Sequence, residues 1–182
     1  MSSEIQIRPA LAGDADVIAR FNALLAWETE GLRLEPETVL AGVRTALADP
    51  AKGRYFVAEH SGLVVGQLMH TREWSDWRNG DLWWIQSVFV DEPFRGRGVF
   101  RALFDHLQAL ARNDPDVAGL RLYVEHANAR AKAVYASLGL RAAHYEVLES
   151  VWRNVPTAGA SGAGATDSDA GAERLSGRGP GT

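Results

Sequence analysis

Arg95-Gly96-Arg97-Gly98 combines the two residue types that hold an anion, glycines that let the backbone come close and guanidinium groups that carry charge. These residues lie between an apolar segment, Val88-Phe89-Val90, and an amphipathic segment that opens at Val99. The first N–H groups of a helix have no intrahelical partner, and with the positive end of the helix dipole they make a site for phosphate. Two common phosphate loops are excluded by spacing. A P-loop needs G-x-x-x-x-G-K-[ST], and a dinucleotide fingerprint needs a third glycine where this chain has Arg101.

The elements that position this loop follow from periodicity. A strand is expected over residues 4–8. A helix follows from near Asp14, its cap, with Val17, Ile18, Phe21, Leu24 and Leu25 as the apolar stripe. A second helix starts near Pro36 and packs through Val39, Leu40, Val43 and Leu47. Strands fit residues 55–59 and 63–70, joined by a turn at Ser61-Gly62. Residues 82–90 are apolar on both alternating faces, with Leu82, Trp84, Val88 and Val90 on one and Trp83, Ile85 and Phe89 on the other, as in a central strand covered on both sides. Val99, Leu103, Phe104, Leu107 and Leu110 then recur at helical spacing. A strand over residues 120–125 precedes a helix capped by Asn128 and stopped by Gly139, and a last strand or hairpin runs through residues 145–152.

Arg95-Gly96-Arg97-Gly98-Val99-Phe100 resembles the Q/R-x-x-G-x-G/A signature of the GNAT superfamily of acyl-CoA N-acetyltransferases, with Phe100 where that family usually has Gly or Ala. Asn128, Ala131, Tyr135 and Gly139 fall on the family's second signature, N-x-x-A-x-x-x-Y-x-x-x-G-F, with Leu140 in place of the final Phe. The resemblance spans about residues 4–152. It implies an α/β fold with a GNAT-like mixed, mostly antiparallel sheet flanked by helices and splayed between strands 4 and 5.

It also implies a site. The backbone of Phe89, Val90 and Asp91 would hold the pantetheine arm of acetyl-CoA, and Arg95, Gly96, Arg97, Gly98, Val99 and Phe100 its pyrophosphate. Asn128 would contact the cofactor, and Tyr135 would act as general acid toward the leaving thiolate, whose basicity a phenol matches. Many family members carry an acidic general base on the fourth strand, where this chain has Gln86 and Ser87. An amide orients water but accepts no proton. Glu125 is therefore the catalytic carboxylate expected here, with Glu73, Asp76, Asp81, His126 and His70 as other proton acceptors. The acceptor pocket is expected from Trp27, Glu28 and Glu30, from Trp74 and Trp77, and from Gln86, since aromatic faces beside carboxylates bind cationic amines.

Composition bounds these expectations. The 182 residues, 46% of them apolar, suffice for one substantial core, assigned to residues 1–156. Residues 157–182 are rich in Gly, Ala and Ser and should be disordered. The lack of Cys excludes a disulfide scaffold and a thiolate metal site and suits a reducing cytoplasm, the expected location. Neither a signal-peptide core nor a membrane-length apolar run is present. A formal charge of −4 argues against broad nucleic-acid binding. The expected ligands are acetyl-CoA and a primary amine of a small molecule or peptide, with no metal and no membrane, and a homodimer is compatible with this reading. The alternatives are a noncatalytic acyl-CoA-binding or sensing module, motivated by Gln86 and Ser87, and a partner-binding domain using Trp74 and Trp77.

Overall fold

A computed structural model describes residues 5–126 and 128–152. The start of the first strand at Glu4 and the tail over residues 157–182 lie outside the described residues. Five strands form one sheet in the order β1-β2-β3-β4-β5: β1 (Gln6–Pro9), β2 (Arg54–His60), β3 (Leu63–Ser75), β4 (Gly80–Val90) and β5 (Val117–Leu122). All neighbours are antiparallel except β4 and β5, which run parallel. The helices are α1 (Ala15–Glu30), α2 (Pro36–Ala48), α3 (Val99–Asn113) and α4 (Ala129–Ser137). No helix among the described residues is long and apolar enough to cross a membrane.

Local chemistry sets most boundaries. Ser61 and Gly62 both have positive φ, 53° and 79°, the primed turn that matches the twist of a two-residue hairpin. Glu35 caps α2 by accepting from the N–H groups of Glu37 and Thr38 (3.0 and 2.6 Å), ahead of Pro36. Asp14 does not cap α1 with its side chain. Its carboxylate accepts instead from the Leu11 N–H and from Arg8 (2.7 Å each), and this pairing holds its pKa down.

Two cores sandwich the sheet. Ile18, Val43, Tyr55 and Val57 are buried beneath α1 and α2, while Phe56, Leu68, Trp83, Ile85, Leu103, Phe104 and Leu107 are buried beneath α3. Leu110, expected on the packed stripe of α3, is exposed, and Ala111 is buried instead. The expected alternation along β4 fails in its second half. Val88 and Val90 pack with Trp83 and Ile85 on the α3 side, whereas Phe89 meets Phe21 of α1 at 4.9 Å. A bulge is the cause. Gln67 pairs with Phe89 but Met69 with Gln86, so β4 carries one extra residue, and Ser87 takes a left-handed φ of 50°.

Pairing between β4 and β5 ends at Ile85↔Leu122, and no β5 residue pairs with Gln86 to Val90. This is the expected splay. β5 itself covers Val117–Leu122 rather than residues 120–125, so Glu125 lies beyond the strand. The expected final strand or hairpin over residues 145–152 does not form. That segment has no regular structure, and Tyr145, Leu148 and Trp152 are exposed, with no strand or helix among the described residues covering them.

Beneath the bulge lies a buried polar chain. Gln67, fully buried, donates through Nε2 to Asn22 Oδ1 (2.7 Å) and to the Ser87 carbonyl (3.2 Å), and Asn22 donates to the Tyr55 hydroxyl (3.1 Å). Removing Asn22 takes from fully buried Gln67 the closer of its two acceptors and leaves only the longer bond to Ser87. Asn22→Leu should therefore cost about 1–3 kcal/mol in urea denaturation, and adding Gln67→Leu should recover part of that loss. Equal stability of Asn22→Leu and the wild type would mean that the chain is energetically idle.

His70 is the opposite case, a polar ring without partners. It is 1% exposed, lies 4.1 Å from the Trp83 ring, and among the described residues neither ring nitrogen has a partner at good hydrogen-bond geometry. Burial, aided by Arg54 and Arg72, lowers its pKa from 6.5 to about 4. Between those values the unfolded chain takes up a proton that the folded chain refuses. The His70 contribution is therefore whole above pH 6.5 and lost as pH falls toward 4, up to about 3 kcal/mol. His70→Leu should flatten this part of the stability profile, measured by denaturation from pH 7 to pH 4. Parallel profiles would assign the acid sensitivity to other groups.

Candidate active site

The anion loop is built as its composition suggests. Gly96 and Gly98 have φ of 74° and 82°, and Gly98 is the N-cap residue of α3. Nothing lies within 4 Å of the Cβ positions of either glycine. Glycine is thus needed for the left-handed backbone, and the space beside it stays open to a ligand. The helix is seated by a close approach: a Cβ on Gly66 would stand 3.0 Å from Val99 Cγ1 and 3.2 Å from the Phe89 carbonyl. The Asp91 N–H donates to the Val65 carbonyl at 2.9 Å, anchoring the chain as it leaves β4. Open glycine backbone, free first-turn amides and two guanidinium groups nearby fit a pyrophosphate in charge and in donor type.

The arginines divide. The Arg97 guanidinium stands 5.5 Å from the Phe94 ring centroid, whereas Arg95 donates from Nε to the Val90 carbonyl at 2.8 Å and from Nη2 to both Glu28 oxygens. Sequence reasoning put Arg95 with the cofactor and Glu28 with the acceptor. The fold joins them across 67 residues.

Tyr135 lies on α4, with its ring edge-on to Phe100 at 5.7 Å, and burial raises its pKa above 10. The phenol stays protonated at neutral pH. Phe100, the departure from the loop signature, also packs against Phe104, so its ring fills the seam between α3 and α4. Asn128 accepts from the Ala131 N–H at 2.9 Å and starts α4. Glu125 is exposed in the connection between β5 and α4, where its carbonyl accepts from the Asn128 N–H.

The remaining candidates scatter. Gln86 donates to Thr71 Oγ1 at 2.9 Å, so its amide is engaged within the sheet. His70 is core and is corrected from a base candidate to a packing residue. Asp81 faces Arg72 at 3.8 Å, and Asp76 accepts from the Trp77 N–H in the hairpin turn. Trp74 and Trp77 are 60% and 84% exposed on the β3–β4 hairpin. Trp74 opposes Asp81, five residues before Gln86, or roughly 16 Å along β4, which sets it apart from the Glu28 end of the cleft.

One group was not assembled from sequence. Glu73 accepts from Trp84 Nε1 and from Arg121 Nη1 (3.0 Å), the Arg121 guanidinium lies 5.2 Å from the Trp84 ring, and the Tyr123 ring lies tilted against Trp84 at 4.3 Å. These residues and Tyr135 line a groove of about 1910 Å³ along β5. Only strand register, with Thr71 and Trp84 paired and Trp84 beside Arg121, brings them onto one face.

Comparison with known proteins places this fold in a family. The model of the Acetyltransferase (GNAT) family matches residues 19–140. A crystal structure of a "possible acetyltransferase" from Clostridium difficile 630 is 44% identical, with 82% of this chain and 99% of that one covered and a TM-score of 0.77. An aminoglycoside N-acetyltransferase in complex with CoA shares 17% identity over 84% of this chain and 98% of that one, with a TM-score of 0.69. A ribosomal-protein-alanine N-acetyltransferase from Brucella melitensis biovar Abortus 2308 shares 18% over 82% and 100%, with a TM-score of 0.67. These last two establish likeness of fold. No curated protein matches the sequence. Extent of the family match and identity to the clostridial structure lead to one conclusion: this chain belongs to the GNAT family of acetyltransferases.

Proposed function

We propose that the protein is an acetyl-CoA-dependent N-acetyltransferase that moves the acetyl group to a primary amine of a small molecule or peptide by direct attack. The observation that carries this reading is the contact between Phe100, in the first turn of α3, and Tyr135 on α4. It ties the anion loop to a protonated phenol, so one bound molecule can meet both.

The loop from Arg95 to Phe100 would hold the pyrophosphate through the first amides of α3, and the backbone from Phe89 to Asp91, where β4 has parted from β5, would hold the pantetheine. The amine nitrogen attacks the thioester carbon, the new C–N bond forms, and the C–S bond breaks. Tyr135 gives its proton to the departing sulfur, and Glu125, directly or through water, takes the proton lost by the amine. Holding the two reactants in one cleft supplies much of the acceleration. Neutralising a lysine-like amine at pH 7 costs roughly 4–5 kcal/mol, an α-amino group only about 1–1.5. Gln86 is engaged by Thr71, and the one carboxylate of β4, Asp81, lies at the strand's other end beside Arg72, which favours the less basic amine.

That same engagement supports a second reading, an acyl-CoA-binding module without turnover. Release of free coenzyme A from acetyl-CoA with a panel of spermidine, kanamycin, lysine amide and an alanine-initial peptide separates the two. Transfer to any of them supports the enzyme, and binding without transfer to all supports the module.

Two substitutions test the assignments. A β-branched residue at φ 82° is strained by at least about 1–2 kcal/mol, so Gly98→Val should reshape the loop and weaken acetyl-CoA binding about tenfold in calorimetry. Unchanged affinity in a folded Gly98→Val protein would put the pyrophosphate elsewhere. Tyr135→Phe keeps the ring on Phe100 and removes the proton donor, and kcat should fall about 10- to 100-fold with acetyl-CoA affinity retained. Equal single-turnover rates would return Tyr135 to packing alone.

A further inference from the structure

Where the last turn of α1 approaches the loop after β4, two of this chain's own charges pair. Arg95 Nη2 donates to Glu28 Oε1 and Oε2 at 2.9 and 2.8 Å, its Nε donates to the Val90 carbonyl, and its guanidinium stands 5.3 Å from the Phe89 ring centroid. Glu28 lies in the last turn of α1, which contains no basic residue. Helix carbonyls make that end negative, so a carboxylate there is disfavoured unless a cation neutralises it. Its neighbour Trp27, 51% exposed, carries the Arg33 guanidinium 4.8 Å over its ring. Two adjacent residues of α1 thus each hold a cation, one by charge and one by an aromatic face.

Arg95 has a competing demand. It stands next to the left-handed Gly96 and opens the loop that leads to the α3 amides, where a multiply charged anion fits. An exposed pair such as Arg95–Glu28 is worth only about 0.2–1 kcal/mol, so a pyrophosphate held by several donors can take Arg95 from one carboxylate. Glu28 then faces the cleft at a helix C-terminus without its counter-cation.

Resting on the N-acetyltransferase reading, we propose that Glu28 is an acceptor-recognition residue held neutralised by Arg95 until the coenzyme binds, and that a positively charged nitrogen of the acceptor then replaces the Arg95 guanidinium on Glu28. Two consequences follow from the exchange. Acceptors must carry a cationic nitrogen, and the coenzyme prepares their site, so each ligand strengthens the binding of the other. Conversely, the Arg95–Glu28 pair weakens coenzyme binding in the resting protein, because only the fraction with Arg95 released is competent.

Calorimetry of acetyl-CoA with the full chain separates this latch from a plain surface ion pair. Glu28→Gln removes the charge, and Glu28→Asp keeps it but shortens the reach to Arg95. Both should bind acetyl-CoA about two- to fivefold more tightly than the wild type. Tightening in Glu28→Gln alone would be a field effect of the lost charge and would overturn the latch, as would unchanged or weaker binding in both. With the panel amine that the wild type acetylates best, Glu28→Gln should raise KM about tenfold, more than it lowers kcat, and Glu28→Asp should restore part of the loss. An unchanged KM overturns the recognition role. If the wild type fails to bind acetyl-CoA at all, the N-acetyltransferase reading itself fails, a result distinct from either outcome.

Discussion

The hydrogen bond from Gln67 to the Ser87 carbonyl holds the deformation on which the rest of the site depends. An extra residue in β4 turns the strand so that Val88 and Val90 enter the α3 core and Phe89 enters the α1 side. Pairing with β5 stops immediately before it, at Ile85. A bulged backbone exposes a carbonyl that a flat strand would pair, and in a buried place that carbonyl needs a donor. Gln67 provides it, and Asn22 and Tyr55 hold Gln67 in turn. The polar chain in the sheet is therefore the support of the cleft.

Around this support the site is assembled by close approaches of backbone. Gly66 admits Val99 to the sheet, and left-handed Gly96 and Gly98 turn the chain into α3. Phe100 then meets the half-buried Tyr135 of α4 edge-on. A small residue at position 100 would leave that ring without its edge contact. The departure from the family signature is thereby explained by packing between helices.

The described molecule also carries mismatches that stabilise nothing. His70 and the Trp83 indole nitrogen are buried without hydrogen-bond partners, stacked on each other inside the α3 core. Aromatic stacking and burial of ring area offset part of that cost. At the opposite extreme, Glu73, Trp84 and Arg121 satisfy one another on an open face, where water competes with every bond.

Local signals in the chain alone sufficed for several elements. The Ser61-Gly62 turn, the Pro36 start of α2, the glycine loop before α3 and the Asn128 cap each depend on residues within one turn of one another. The family signatures are legible for the same reason, being short runs whose backbone must take one shape around a ligand. The bulge at Ser87 was not legible, because its cause is Gln67, twenty residues away on another strand. Nor did the pattern over residues 145–152 make a strand, since alternation describes what could pair and not whether an edge receives it. The chemistry of single residues divides along the same line. Tyr135 could be named from its motif, but its raised pKa comes from burial. His70 looked like a base until packing enclosed it, and Glu28 met Arg95 only when α1 was laid across β4. Sequence determines what each segment is able to form with its neighbours in the chain. Which charges meet, which rings lose water and where strands part depend on contacts that tertiary folding alone creates.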